Sequence, residues 1–188
     1  MKYRLISFAA VLFGVASLVS CIDPDQTEEV LLQQNIEAIE KYLLENPFTS
    51  VKNYKEVQEG VYMFWQVSVD PEINRILPLD TVVVNYTGKL LNNTVFDTSI
   101  ERIAREKGIY SSSRNYTPLR FPLGTGRGAI IGFEFGVSLM RVGEKATVIF
   151  PSRLGYGNQG TNGIPPSSPL IFELELIDVK KGPNHTKP

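Results

Sequence analysis

The chain is poor in the residues that most metal, redox and nucleophilic chemistry requires. It has one cysteine, Cys21, so no intramolecular disulfide is possible even in an oxidising compartment. It has one histidine, His185, placed in a polar C-terminal stretch. That leaves none for a Ser-His-Asp triad or for a zinc site in the body of the chain. Charge of either sign is not in excess: 19 Lys and Arg face 20 Asp and Glu, for a formal net charge of −1. No basic stripe interleaves with aromatics, so no nucleic-acid partner is expected. Long apolar runs are absent but for one, Leu5 to Val19.

That run follows Lys2 and Arg4 and ends Leu18-Val19-Ser20-Cys21. Residues 1–20 read as a secretory signal whose cleavage site resembles the bacterial lipobox, with Cys21 as the lipidated first residue. A short membrane-spanning anchor is the competing reading. The lone thiol is then explained by lipidation. Ile22 follows it, not the aspartate that retains some lipoproteins in the inner membrane. In a cell with two membranes, an envelope lipoprotein of the outer membrane is the preferred expectation.

Residues 22–28 are polar and acidic and read as a tether. Leu32, Ile36, Ile39 and Leu43 then recur on one helical face, predicting a helix from about Thr27 to Glu45, capped by Asp25 or Thr27 and ended by Asn46-Pro47. It either packs on the domain or dimerises. Residues 21–50 are thus tether and helix, residues 51–180 the main domain and residues 181–188 a polar tail with no reason to fold. Tyr54 to Val69 predicts strands around a turn at Glu59-Gly60. Thr81 to Leu91 predicts a core strand with Val82, Val84 and Tyr86 on the inward face.

Further along, Ile100 to Lys107 reads as a short helix ended by Gly108, and Leu119 to Leu123 as a short strand. Ile130, Phe133, Val137 and Met140 share a helix face. A strand follows at Ala146 to Phe150. Residues 151–169 hold four prolines and four glycines, a stiffly punctuated loop of a length that usually signals function. The last strand alternates: Leu170, Phe172, Leu174 and Leu176 inward, Glu173 and Glu175 outward. The fold class is α+β.

Several motifs fall in one order: Tyr86-Thr87-Gly88 in a strand, Phe96-Asp97, Gly155-Tyr156-Gly157, Ile164-Pro165-Pro166 and Phe172-Glu173-Leu174-Glu175-Leu176. Together they resemble the FKBP-type peptidyl-prolyl cis-trans isomerases over roughly residues 78–180. The resemblance implies a curved antiparallel sheet wrapped around one short helix, with a pocket between them. Residues 99–117 are an insertion relative to the compact family pattern and are expected to overhang one rim.

The implied reaction needs no cofactor and no metal. Rotation about a peptide bond breaks amide resonance, at about 18–20 kcal/mol. Before proline, cis and trans are nearly balanced, so the barrier is the whole problem. The catalyst must bind the twisted amide better than the planar one. The planar amide has the larger charge separation, so a dry aromatic pocket favours the twisted form.

By resemblance, Tyr86, Phe96, Ile130, Phe133, Tyr156, Ile164 and Phe172 line that pocket, with Phe133 as its floor. The Ile130 N–H and the Tyr156 hydroxyl would donate to substrate carbonyls. Asp97 would orient polar groups at the edge, and Ile164 would sit on a flap stiffened by two prolines. Two departures stand out. The family usually has Trp where Phe133 stands, and a pocket-edge aromatic is replaced by Leu119. The implied partners are proline-containing polypeptides, plus the membrane through Cys21. The sequence leaves the oligomeric state open. The alternative function is a non-catalytic chaperone or assembly module on the same fold. Gly124 to Ala129 also satisfies G-x-G-x-x-A, but the strand after it ends Ile149-Phe150-Pro151, without the acid a dinucleotide ribose needs.

Overall fold

A computed structural model describes residues 27–70, 72 and 75–185. The leader, Cys21 and residues 22–26 of the proposed tether lie outside the described residues, while Thr27 and Glu28 belong to the start of a helix. Among the described residues no helix is long and apolar enough to cross a membrane.

The chain opens with helix α1 (Glu28–Glu45). Thr27 caps it by accepting from Val30 N at 3.3 Å, and Glu28 and Glu29 complement the positive end of the helix. Asn46 closes it, and Pro47 bars continuation. Strands β1 (Lys52–Glu56) and β2 (Val61–Val67) form the expected hairpin, turning at Gly60 with φ +68°. Next come β3 (Thr81–Leu90), β4 (Val95–Thr98), helix α2 (Glu101–Glu106) and β5 (Leu119–Pro122). Helix α3 (Ile131–Ser138), β6 (Lys145–Phe150) and β7 (Leu170–Lys180) complete the body.

The strands make one antiparallel sheet in the order β1-β2-β6-β7-β3-β4. Strand β5 shares the outer edge of β3, pairing with Thr81–Val84 while β4 pairs with Thr87–Lys89. Strand β7 is central and pairs with β3 along its full length, Thr81 opposite Lys180 and Leu90 opposite Leu170. The inner face carries Val82, Val84, Val148, Phe172, Leu174 and Leu176 onto α3, which contributes Phe133 and Val137. Gly132 permits that close approach: a side chain there would strike the Phe150 ring.

The outer face is also covered. Ile39 and Tyr42 of α1 pack on Tyr62, Phe64, Ile149 and Ile171 in a second apolar cluster. The helix therefore packs on the domain, and the buried face centres on Asn35, Ile36, Ile39 and Tyr42, with Leu32 and Leu43 only half-buried at its flanks. Cover on both faces is why Ile171 and Ile149 stand among residues whose neighbours point inward.

The tail differs from expectation. Residues Pro183–His185 form a 3-10 turn fastened to Asp80. Asp80 is fully buried and accepts from Leu77 N (2.8 Å) and Gly182 N (2.7 Å), while His185 Nε2 meets it at 2.8 Å. Burial alone would raise this carboxyl, but the Gly182 N–H, His185 and the Leu77 N–H hold it below its usual range. The polar sequence at 182–185 folds because a buried carboxylate about a hundred residues earlier needs its donors. Residues 186–188 lie outside the described residues.

Candidate functional site

The site is built on β3, β4, β7 and the N-terminal end of α3. Four rings interlock edge to face. Phe133 meets Phe172 at 5.1 Å between centroids and Tyr86 at 5.6 Å, and Phe96 meets Phe172 at 5.7 Å. Phe150 stacks behind Phe172 at 5.8 Å and Phe121 lies 6.0 Å from Phe133. Phe133 and Phe172 are buried, while Tyr86 and Phe96 are half-exposed at the mouth. Each such pair adds about 0.5–1.5 kcal/mol beyond the area it buries, so the wall is rigid.

Gly88 makes the wall possible. It lies opposite Phe172 in the β3–β7 register. A Cβ there would come within 2.6 Å of the Phe96 ring and 2.9 Å of the Phe172 ring. A glycine inside a strand signals such a close approach, and this one was open to reading in the Tyr-Thr-Gly motif.

The polar edge is a triad of hydroxyl, carboxylate and guanidinium. Tyr86 OH donates to Asp97 Oδ2 at 2.6 Å. Arg114 pairs with Asp97 Oδ1 and also donates through Nη2 to the Tyr86 hydroxyl at 3.0 Å. The Thr98 N–H donates to Asp97 Oδ1 at 2.8 Å. Burial, then the Asp97 hydrogen bond and charge, push the Tyr86 phenol well above its ordinary value, so it stays protonated. The backbone of Tyr86 is clamped as well: its N–H donates to Ser99 Oγ (2.9 Å) and its carbonyl accepts from Thr98 Oγ1 (2.9 Å). A cavity of about 580 Å³ opens beside this edge, lined by Tyr86, Arg114, Thr117, Pro118, Leu119 and Arg120.

Arg114 comes from the 99–117 segment. The segment is mostly exposed and reaches the site through Arg114 at its polar edge, while Ser99 and Ala104 are buried parts of the body. Sequence reading missed Arg114, since one arginine in a polar loop has no periodicity to betray it.

The other expected residues are distributed as follows. Ile130 is the N-cap residue of α3, extended at φ −66° and ψ 154°, where backbone N–H groups precede the helical ladder. Tyr156 stands between Gly155 and Gly157 and is 38% exposed. Burial, and after it the charge of Asp97, raise its phenol above the ordinary value. Leu119 packs at the rim of the main core. Ile164 is 4% exposed and packed into the main core, so it anchors the 151–169 loop. Its backbone exchanges hydrogen bonds with Thr161 at 2.8 and 3.0 Å. Among the described residues no cluster of His, Cys, Asp and Glu is arranged to hold a metal.

An aromatic wall over a short helix, with one polar edge, is an arrangement suited to an apolar ring carried on a polar backbone. The model of the FKBP-type peptidyl-prolyl cis-trans isomerase family matches residues 74–177, and the chain belongs to that family. FK506-binding protein 2 of Yarrowia lipolytica is 38% identical over 138 residues, 73% of this chain and 85% of that one. The probable FKBP-type isomerase of Haemophilus influenzae is 34% identical over 152 residues, 80% of this chain but 55% of that protein. The crystal structure of FkpA from Escherichia coli superposes with a TM-score of 0.57 at 29% identity, covering 81% of this chain and 62% of that one.

Proposed function

We propose that this FKBP-type isomerase acts on Xaa-Pro bonds of exported polypeptides, from an anchor at lipidated Cys21 in the cell envelope. The observation that carries the reaction is the edge-to-face cup of Tyr86, Phe96, Phe133 and Phe172, closed on one side by the Asp97–Arg114 pair. The prolyl ring sits over Phe133, against Phe172 and Phe96. The amide is carried out of water, which costs the dipolar planar form more than the twisted one. The Ile130 N–H and the Tyr156 hydroxyl hold the flanking carbonyls. Asp97 and Arg114 hold Tyr86 in place and do not exchange protons with the substrate. Leu119 and Ile164 supply apolar wall.

Compartment and anchor rest on the leader pattern, with an outer-membrane site preferred on Ile22. A protease-coupled assay on a short Xaa-Pro peptide tests the reaction. Catalysed isomerisation is expected, and a folded protein without turnover would leave only peptide binding. Cell fractionation tests the anchor. A correctly cleaved Cys21→Ser protein that stays in the membrane would overturn it.

A further inference from the structure

We infer that Asn35, on α1 and outside residues 74–177 matched by the family model, is a positioning residue for the loop carrying Tyr156 and Ile164. The side chain of Asn35 is buried at 5% exposure and touches both ends of that loop. Its Oδ1 accepts from Ser152 N at 2.7 Å. Its Nδ2 donates to the Ser167 carbonyl at 3.0 Å. Two further bonds complete a circuit. Gly157 N donates to the Ser152 carbonyl at 2.8 Å, and Ser167 N donates to the Gly157 carbonyl at 2.9 Å. The path Asn35–Ser152–Gly157–Ser167–Asn35 is closed, and Tyr156 sits next to one of its members.

The chemistry selects asparagine. A backbone donor and a backbone acceptor must be met by one short planar group, and the fixed identity of those partners sets which amide atom faces which. Aspartate has no donor for Ser167, leucine meets neither and glutamine is a carbon too long. The clasp also has a strained element to hold. Ser167 is a non-glycine residue at φ +55°, a left-handed conformation that persists only when its surroundings impose it. Ile164, packed in the core, fixes the middle of the loop, so the clasp fixes its two ends. The extension that covers the outer face of the sheet thereby sets the aim of the Tyr156 hydroxyl at the pocket mouth.

This inference rests on the reading that Tyr156 contacts substrate, so the test separates the two. Asn35→Ala, Tyr42→Phe and Tyr156→Phe are compared in the full chain, below their unfolding temperatures, by kcat/KM on an Xaa-Pro peptide and by backbone amide NMR. Tyr42→Phe removes a different α1 side-chain bond, Tyr42 OH to Asn93 Oδ1 at 2.9 Å, remote from the loop. Asn35→Ala is expected to move the amide shifts of Ser152, Gly155–Gly157 and Ser167 and to lower kcat/KM by about three- to tenfold. Tyr42→Phe is expected to lower the unfolding temperature and leave both readouts unchanged. The inference is overturned if Asn35→Ala leaves the loop amides in place, or if Tyr42→Phe lowers kcat/KM equally. It is overturned too if the amides move and kcat/KM holds while Tyr156→Phe loses activity. If Tyr156→Phe itself keeps full kcat/KM, the substrate role of Tyr156 fails, and the loop amides alone decide the clasp.

Discussion

Arg114 reaches back to Asp97, seventeen residues earlier in the chain, and its second nitrogen bonds the Tyr86 hydroxyl that Asp97 also holds. Two side chains of opposite charge thus fix one phenol from two sides. Both are partly exposed, 39% for Arg114 and 32% for Asp97, so the pair contributes at most about 1 kcal/mol to stability. Its worth lies in orientation. Arg114→Ala is expected to leave the unfolding temperature within a few degrees, while kcat/KM falls by about two- to tenfold. A large loss of stability would instead make the 99–117 segment a structural prop.

Desolvation by an aromatic cup predicts that no single ionisable group is indispensable. Asp97→Asn is expected to lower kcat/KM about tenfold, equivalent to about 1.4 kcal/mol of barrier. The rate is expected to stay nearly flat across neutral pH. Tyr86 and Tyr156 have raised phenols and remain protonated there, and the one histidine is committed to Asp80. A steep inflection near neutrality, measured as kcat/KM against pH, speaks for acid–base chemistry and against desolvation.

Gly88→Ala tests the wall directly. The new methyl group collides with Phe96 and Phe172 together, so both rings must leave their places. Overpacking of this kind costs about 1–3 kcal/mol. Turnover is expected to fall further than in Asp97→Asn, with the ring-proton NMR shifts of Phe96 and Phe172 displaced. Unchanged shifts and turnover would mean that the rings do not set the pocket.

Glu144 gives a pH prediction of known sign. Its carboxylate is fully buried and accepts from Trp65 Nε1 (2.9 Å), Ser68 Oγ (2.9 Å), Arg141 N (3.0 Å) and Val69 N (3.3 Å). Burial would raise it, but these donors together hold it below the usual carboxylate range, as at Asp80. The folded state therefore binds fewer protons than the unfolded one near those values. Stability is full above the ordinary carboxylate range and is lost as pH falls through the lowered folded values. Glu144→Gln is expected to flatten this acid limb and to cost about 1–3 kcal/mol at neutral pH. Trp65, the only tryptophan, reports it by fluorescence during acid and urea unfolding.

Alternation in β7 and β3 made the inner face of the sheet legible, and the order of aromatics located the cup. The outer face was harder. Ile171 breaks no alternation that a reader can see, because its partner is Ile39, on a helix whose period says that it buries a face but not against what. The cup was legible because its residues lie in regular elements, three in strands and Phe133 on α3. Its positioning residues were not: Arg114 lies in an irregular loop and Asn35 is a polar residue inside a helix face. Nothing in the sequence pattern marks Asp80 or Glu144, since only the folded chain supplies the donors that make them interior carboxylates.

The place of β7 at the middle of the sheet has a consequence for how the chain acquires its shape. The strand that follows all the other described strands in sequence separates β1, β2 and β6 from β3, β4 and β5. Until Leu170 to Lys180 is available, the two halves share no strand pairing and α1 lacks Ile171 as a landing site. Joining of the two halves thus waits for β7 and is dominated by contacts distant in sequence, which makes it slow. A nascent chain stopped short of Leu170 carries every ring of the pocket but one, and lacks the strand that joins the two halves of the sheet.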